Sequence, residues 1–301
     1  MGAFAVRVPA SSANLGSGVD CMGLALSRYL TVCFESAKKT EAIFADGFDA
    51  PVPQADNLIL RGARRIFEKA GEAMPALRMT ARTEIPISRG MGSSASAIIA
   101  GVCGANMLLG NRFSTDDLLN EAADIEGHPD NVVPCLLGGL TVAMQSGGRV
   151  FVRRTSFPAA LRIAVCVPDF KLSTQTARGV LPKDVPLAAA TGQLARACFL
   201  TASLFGGGVL TDLDKASADA LFTPARTPLI PGFSDAAREA REAGALCAMI
   251  SGAGPSVAAF TSPADAASVC AAMVRGFAGA GIRAVSFDLS ADNAGAKIIN
   301  L

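Results

Sequence analysis

PISRGMGSSASA, residues 86–97, runs directly into the apolar stretch IIAGVCGANMLL, residues 98–109. Three readings compete for it. A Walker A loop needs Lys after its glycines, and none follows here, so that motif is excluded. Gly90-x-Gly92-x-x-Ala95 matches the bare dinucleotide pattern. That pattern requires an acid at the end of a second strand about 20 residues on. The residues there, Gly110 to Asp117, instead open the next helical segment. The third reading is anion binding at a helix mouth. Gly90 and Gly92 let the backbone turn tightly, Ser93 and Ser94 add hydroxyls, and a buried helix from Ser94 aims free N–H groups and its positive dipole end at one point. On residues alone, this phosphate cradle and a plain Gly-Ser turn capping a core helix both remain open.

Working outward, FAVRVPA (4–10) alternates as a strand, and RYLTVCFES (28–36) and ALRMTARTEIPI (76–87) read as two more. DNLILRGARRIFEKAG (56–71) has helical spacing, with Asp56 at its start and Gly71 at its end. Residues 94–109 are apolar all round, hence a buried helix, and 114–127 form an amphipathic one. GGLTVAM (138–144) and RVFVRRT (149–155) pair as a hairpin. After Pro158 the pattern restarts with a buried strand, 161–168. Helical stretches are expected at 173–180, 187–205, 212–221 and 234–244. ALCAMISGAGPSVAAFTS then reads as two strands joined by SGAGPS, before a helix at 263–277 and a closing strand at 283–289. Interspersed strands and helices with hairpins make the class α+β. A domain boundary is expected near 156, giving domains 1–156 and 157–301.

Composition removes several functions. Lys and Arg number 27 against 26 Asp and Glu, with no basic cluster, so nucleic acid is not expected as a partner. No apolar stretch reaches spanning length and the N-terminus carries no signal-peptide pattern, so no membrane is expected and the cytoplasm is the expected location. The eight cysteines form no CxxC pair and mostly sit in apolar runs, as small buried hydrophobes in a reducing compartment. His128 is the one histidine, which removes HExxH and multi-histidine metal sites.

Residues 86–96 resemble the ATP-binding signature of the GHMP kinases. VPASSANLGSGVDCMGLAL (8–26), EGHPDNVVPCLLGG (126–139), STQTARGVLP (173–182), RTPLIPGF (226–233) and ISGAGPSV (250–257) resemble further motifs of that family, in order, and most closely those of members acting on L-homoserine. The resemblance implies a GHMP kinase fold: an N-terminal ribosomal-S5-domain-2-like domain and a C-terminal ferredoxin-like α+β domain. It implies ATP as donor, Mg2+ as metal, an L-homoserine-like acceptor and a homodimer. ATP contacts are implied for Pro86, Ile87, Ser88, Arg89, Gly90, Met91, Gly92, Ser93, Ser94, Ala95 and Ser96. Ser94 and Glu126 are the implied metal ligands, with Glu121 on the same helix as the alternative.

Homoserine is a small zwitterion with one hydroxyl, and the implied contacts match it. Arg178 and Arg226, isolated in uncharged stretches, would fork onto its carboxylate. Asp20 would face its ammonium, with Asn14, His128 and Thr174 as further substrate contacts. Asn131 would orient the hydroxyl, and Asn131 and Arg178 carry the catalytic assignment. Where some relatives place an Asp base, this chain has Asn131, which cannot take a proton at neutral pH, so no dedicated strong base is expected. Phosphoryl transfer would then rest on positioning and charge neutralisation. The alternatives are another small-molecule kinase of the family, such as one acting on threonine, and a non-catalytic ATP sensor.

Overall fold

The computed structural model describes residues 2–48, 53, 57–206 and 210–301. Strand β1 (Phe4–Leu15) and strand β2 (Gly18–Ser36) form a hairpin much longer than FAVRVPA and RYLTVCFES suggest. Past Pro9 the alternation fails because both faces of β1 are covered: Ser11, Ser12 and Asn14 are buried polar residues in a strand. Register shifts at Pro9/Ala10 and Ala13/Leu15 bend the pair. The segment NLGSGVD is thus mostly strand, and Asp20 lies in β2.

The first sheet continues with β3 (Glu41–Phe44), β4 (Leu77–Thr83), β5 (Leu140–Ser146) and β6 (Arg149–Thr155). Its order is β11-β1-β2-β4-β3, where β11 (Lys297–Asn300) is a late strand of the chain, with β5 on β2 and β6 on β5. Helices α1 (Leu58–Ala70), α2 (Ser93–Leu108), α3 (Thr115–Glu126) and α4 (Pro129–Leu137) complete this layer. Asp56, expected to open α1, lies outside the described residues. The cap is Asn57, whose Oδ1 accepts from the N–H of Ile59 and Leu60 at 3.0 and 3.2 Å. α1 and α2 cross at backbone contact distance: a Cβ on Gly101 would stand 2.1 Å from the Ile59 carbonyl oxygen. That close crossing explains glycine inside an otherwise greasy helix.

The second sheet holds β7 (Arg162–Pro168), β8 (Cys247–Ile250), β9 (Val257–Thr261) and β10 (Ala284–Leu289), in order β10-β7-β9-β8. Helices α9 (Phe233–Glu242) and α10 (Ala266–Gly279) give it a βαββαβ plan, the ferredoxin-like arrangement. Between β7 and α9 run α5 (Thr174–Gly179), α6 (Leu187–Phe205), α7 (Leu213–Ser217) and α8 (Thr223–Arg226). α7 is shorter than the helix expected over 212–221.

Strand β10 does not close the chain. A further strand, β11 (Lys297–Asn300), returns to the first sheet and pairs antiparallel with β1. The expected division near 156 falls between β6 and β7, while residues 297–300 cross back over it. The eight cysteines are free. Cys135, Cys166, Cys247 and Cys270 are buried, but Cys198 is exposed, unlike the general expectation. No helix among the described residues is long and apolar enough to cross a membrane.

Candidate active site

The loop 88–92 sits where the two sheets meet, and the turn after β8 clasps it. Ser251 Oγ donates to the Gly90 carbonyl at 2.6 Å, and Ser256 Oγ donates to the Arg89 carbonyl. The same turn is tied to β1 by Gly252 N–H to the Ala13 carbonyl at 2.9 Å and by the Ser12–Ser251 hydroxyl pair at 2.8 Å. Gly90 (φ +77°) packs so closely that a Cβ would lie 2.3 Å from the Ser251 carbonyl oxygen, and one on Gly92 (φ +67°) would lie 2.0 Å from Ser11 Oγ. Only glycine fits both conformation and space. Gly92 is the N-cap of α2 and offers no side chain to the first-turn N–H groups. These donors and the helix dipole therefore stay available to an anion.

A cleft of about 230 Å³ opens beside this helix mouth. Ser88, Gly90, Gly92, Ser93 and Ser94 form one wall; Glu126, His128 and Asn131 another; Asn14, Thr174, Arg178 and Arg226 the remainder, with Gly252 to Gly254 at the clasp. Side chains from six separate segments thus converge. Not every residue of 86–96 faces this cleft. Met91 and Ala95 point into the core, Ser96 is buried and donates to the Ser93 carbonyl, and Arg89 turns away to Asp169 at 3.1 Å. Pro86 and Arg89 line a separate groove, and Ile87 lines a cavity on the other side of the loop.

Ser94 Oγ donates to both Glu126 oxygens, at 2.5 and 2.6 Å. Burial pushes the Glu126 carboxyl above its ordinary range, with Ser94 and His128 pulling the other way. Glu121 faces elsewhere: Arg65 Nε and Lys69 Nζ hold it at 2.5 and 2.8 Å. Of the two glutamates, Glu126 lines the cleft and Glu121 does not.

His128 and Asn131 come from the start of α4, a helix not foreseen because HPDNVVPCLL carries two prolines. Pro129 occupies the first helical position, where its missing N–H costs nothing. His128 Nδ1 lies 2.5 Å from Asp130 Oδ1, and Asp130 is fully buried with Oδ2 unpartnered. Burial disfavours the charged imidazole, but the Asp130 bond and the charges of Asp130 and Glu126 outweigh it and raise the His128 pKa. Asn131 Oδ1 accepts from Ser11 Oγ at 2.8 Å, which leaves its NH2 for the cleft.

Asn14 (φ +55°) and Asp20 (φ +56°) are both left-handed, and the Asp20 N–H donates to Asn14 Oδ1 at 2.8 Å. Asp20 is absent from the cleft wall itself but reaches its rim through Arg178, 2.7 Å away. Arg226 is buried, with long bonds to the Ala177 and Gly252 carbonyls, both 3.4 Å. No described carboxylate lies within ion-pair distance of it. Burial lowers its pKa, opposed by Asp20, yet arginine's ordinary value is high enough that it stays a cation.

Sequence reasoning missed Asn57. It is buried, its Nδ2 has no partner, and it lines a cavity of about 200 Å³ behind Ser93 and Ser94 with Leu30, Phe44, Phe48 and Ile59. The sequence pattern sets the helix start at Asp56 and gives Asn57 no role.

Two family profiles match the chain: GHMP kinases N terminal domain over residues 57–139, and GHMP kinases C terminal over 207–279. The chain is 39% identical to homoserine kinase of Moorella thermoacetica over 98% of its own length and 99% of that protein's. It is 42% identical to homoserine kinase of Deinococcus radiodurans, over 85% and 84%. The crystal structure of homoserine kinase from Cytophaga hutchinsonii superposes with a TM-score of 0.90 at 31% identity, covering 99% of this chain and 98% of that one.

Proposed function

We propose how this site works from one premise: the chain belongs to the GHMP kinase family, where homoserine kinases match it over nearly its full length. It transfers the γ-phosphoryl group of ATP to the side-chain hydroxyl of L-homoserine, giving O-phospho-L-homoserine and ADP, a step of threonine biosynthesis. The carrying observation is that an uncapped helix mouth and a set of opposed fixed charges share one cleft.

In this reading the triphosphate lies against the N–H groups of residues 90–95, where the α2 dipole and the glycine backbone favour negative charge. The base enters the Asn57 cavity, whose aromatic walls suit a flat ring and whose free Nδ2 can donate to it. The amino acid binds with its carboxylate on Arg178 and Arg226 and its ammonium toward Asp20, with Asn14 and Thr174 closing the pocket. Asn131 directs its NH2 to the acceptor hydroxyl, and His128, whose pKa Asp130 raises, faces the place where charge builds on the phosphoryl oxygens. No side chain takes the proton; it leaves late to the phosphoryl group or to water.

Ser94 and Glu126 suit Mg2+, a hard cation that takes one or two protein oxygens and completes its shell with phosphates and water. Among the described residues no group of three or more His, Cys, Asp or Glu side chains is placed to hold a metal by itself. The ion would supply charge neutralisation at the phosphates. A two-domain division near 156 and assembly as a homodimer belong to the same proposal; native mass measurement tests the latter. ADP release on L-homoserine, with and without Mg2+, tests the whole. Turnover on L-homoserine and little on threonine, mevalonate or sugars is expected; the reverse preference overturns it.

A further inference from the structure

The two halves of the amino-acid pocket come from distant parts of the chain. Asn14 and Asp20 flank the tip of the β1–β2 hairpin, whereas Arg226 ends α8. Gln193, on α6, lies between them and is only 7% exposed. Its Nε2 donates to the Ser17 carbonyl at 3.2 Å and to Asp219 Oδ1 at 3.0 Å, while its Oε1 accepts from the Ala220 N–H at 3.2 Å. Asp219 in turn accepts from the N–H groups of Leu221, Phe222 and Thr223, at 3.0, 3.1 and 2.5 Å, and so shapes the turn that launches α8.

One side-chain amide thus uses both its ends to join the hairpin tip to the turn that carries Arg226. Nearby contacts keep that joint tight. Ser17 Oγ donates to the Ala216 carbonyl at 2.7 Å, and Gly16 (φ +57°) approaches α7 so closely that a Cβ would lie 2.2 Å from the Ser217 carbonyl oxygen. Gln193 does not line the cleft. We infer that Gln193 is a positioning residue: it sets the spacing between Asp20 and Arg226, and so the affinity for the amino acid, without touching it. The inference rests on the reading of that pocket as the amino-acid site.

The test pairs kinetics with hydrogen exchange in Gln193→Leu and Gln193→Glu, the latter setting a second carboxylate against Asp219. For Gln193→Leu the KM for L-homoserine rises about tenfold while the KM for ATP and kcat stay within about twofold of the parent, as loss of hydrogen bonds remote from the nucleotide requires. Amides 16–18 and 220–223 exchange faster together, and those of 90–95 do not. Gln193→Glu keeps an acceptor for the Ala220 N–H but loses the donor to Ser17 and Asp219, and its KM for L-homoserine rises by at least as much. An unchanged KM for L-homoserine, a parallel rise in both KM values, or faster exchange in only one of the two segments overturns the inference. A parent chain inactive on L-homoserine defeats the substrate reading instead, and the exchange result still decides the coupling.

Discussion

Arg178 Nη2 lies 2.7 Å from Asp20 Oδ1, so the two side chains assigned to opposite ends of the substrate are paired with each other in the protein. In the proposed reading, a bound zwitterion would replace this pair with two, carboxylate on guanidinium and ammonium on carboxylate. Both side chains are about two-fifths exposed, at 40% and 43%, so water screens the pair and it contributes little to stability. Arg178→Ala and Asp20→Asn therefore each raise the KM for L-homoserine, by about 100-fold for Arg178→Ala, where a charge-assisted bond to substrate is lost. Thermal melting shifts by about 2 °C or less in both. A large loss of melting temperature with unchanged KM would contradict this.

Asn131 has its Oδ1 committed to Ser11 and presents a donor to the cleft. Asn131→Asp exchanges that donor for a negative charge beside the phosphates, and kcat falls by about tenfold or more. The pH–rate profile checks the mechanism. Activity at or above the parent level, with a new acidic limb, would mean that a base assists the transfer after all.

Ser94 and Glu126 face the cleft, whereas Glu121 is held by Arg65 and Lys69 outside it. Glu126→Gln removes the ionised oxygen that a hard cation needs, and the Mg2+ concentration for half-maximal rate rises at least about tenfold. Glu121→Gln leaves that concentration unchanged. Titration of Mg2+ in both variants decides between them.

Glu121 has a different consequence, for stability against pH. Burial pushes its carboxyl up, but hydrogen bonds from Lys69 and Arg65 and their charges outweigh this and hold it below the ordinary range. Because the folded pKa is the lower one, its contribution is present above the unfolded value and lost as pH falls through the folded value. Glu121→Gln therefore destabilises the protein by about 1 kcal/mol at pH 7, and the difference shrinks as pH falls below the ordinary carboxylate range. Denaturant unfolding of both proteins across pH 3–7 measures it; a gap that persists in acid would refute the assignment.

The site was more legible in the sequence than its support. A glycine-serine run before a buried helix, two isolated arginines and a lone histidine carry chemistry in their residue types, and the cleft gathers them. Asn57 was not legible, because an Asn before a helix reads as a cap whether or not its other amide atom faces a cavity. Helix α4 was hidden by Pro129 and Pro134, although the first stands where proline starts helices. The buried serines of β1 defeated alternation, since a strand covered on both faces has no polar side. β11 was missed because its four residues form an exposed edge whose partner, β1, lies almost the whole chain away. Gln193 showed nothing in sequence: its role depends on three segments meeting in space.

The central claim is that free amides at the mouth of α2 hold the triphosphate while fixed charges hold the amino acid in line with it. A crystal structure with Mg2+, a non-hydrolysable ATP analogue and L-homoserine tests this most directly. The account predicts phosphate oxygens within hydrogen-bonding distance of the N–H groups of residues 90–95, the metal on Ser94 and Glu126, and the homoserine carboxylate between Arg178 and Arg226. Phosphates seated away from that loop, or an amino acid bound outside the cleft, would contradict it.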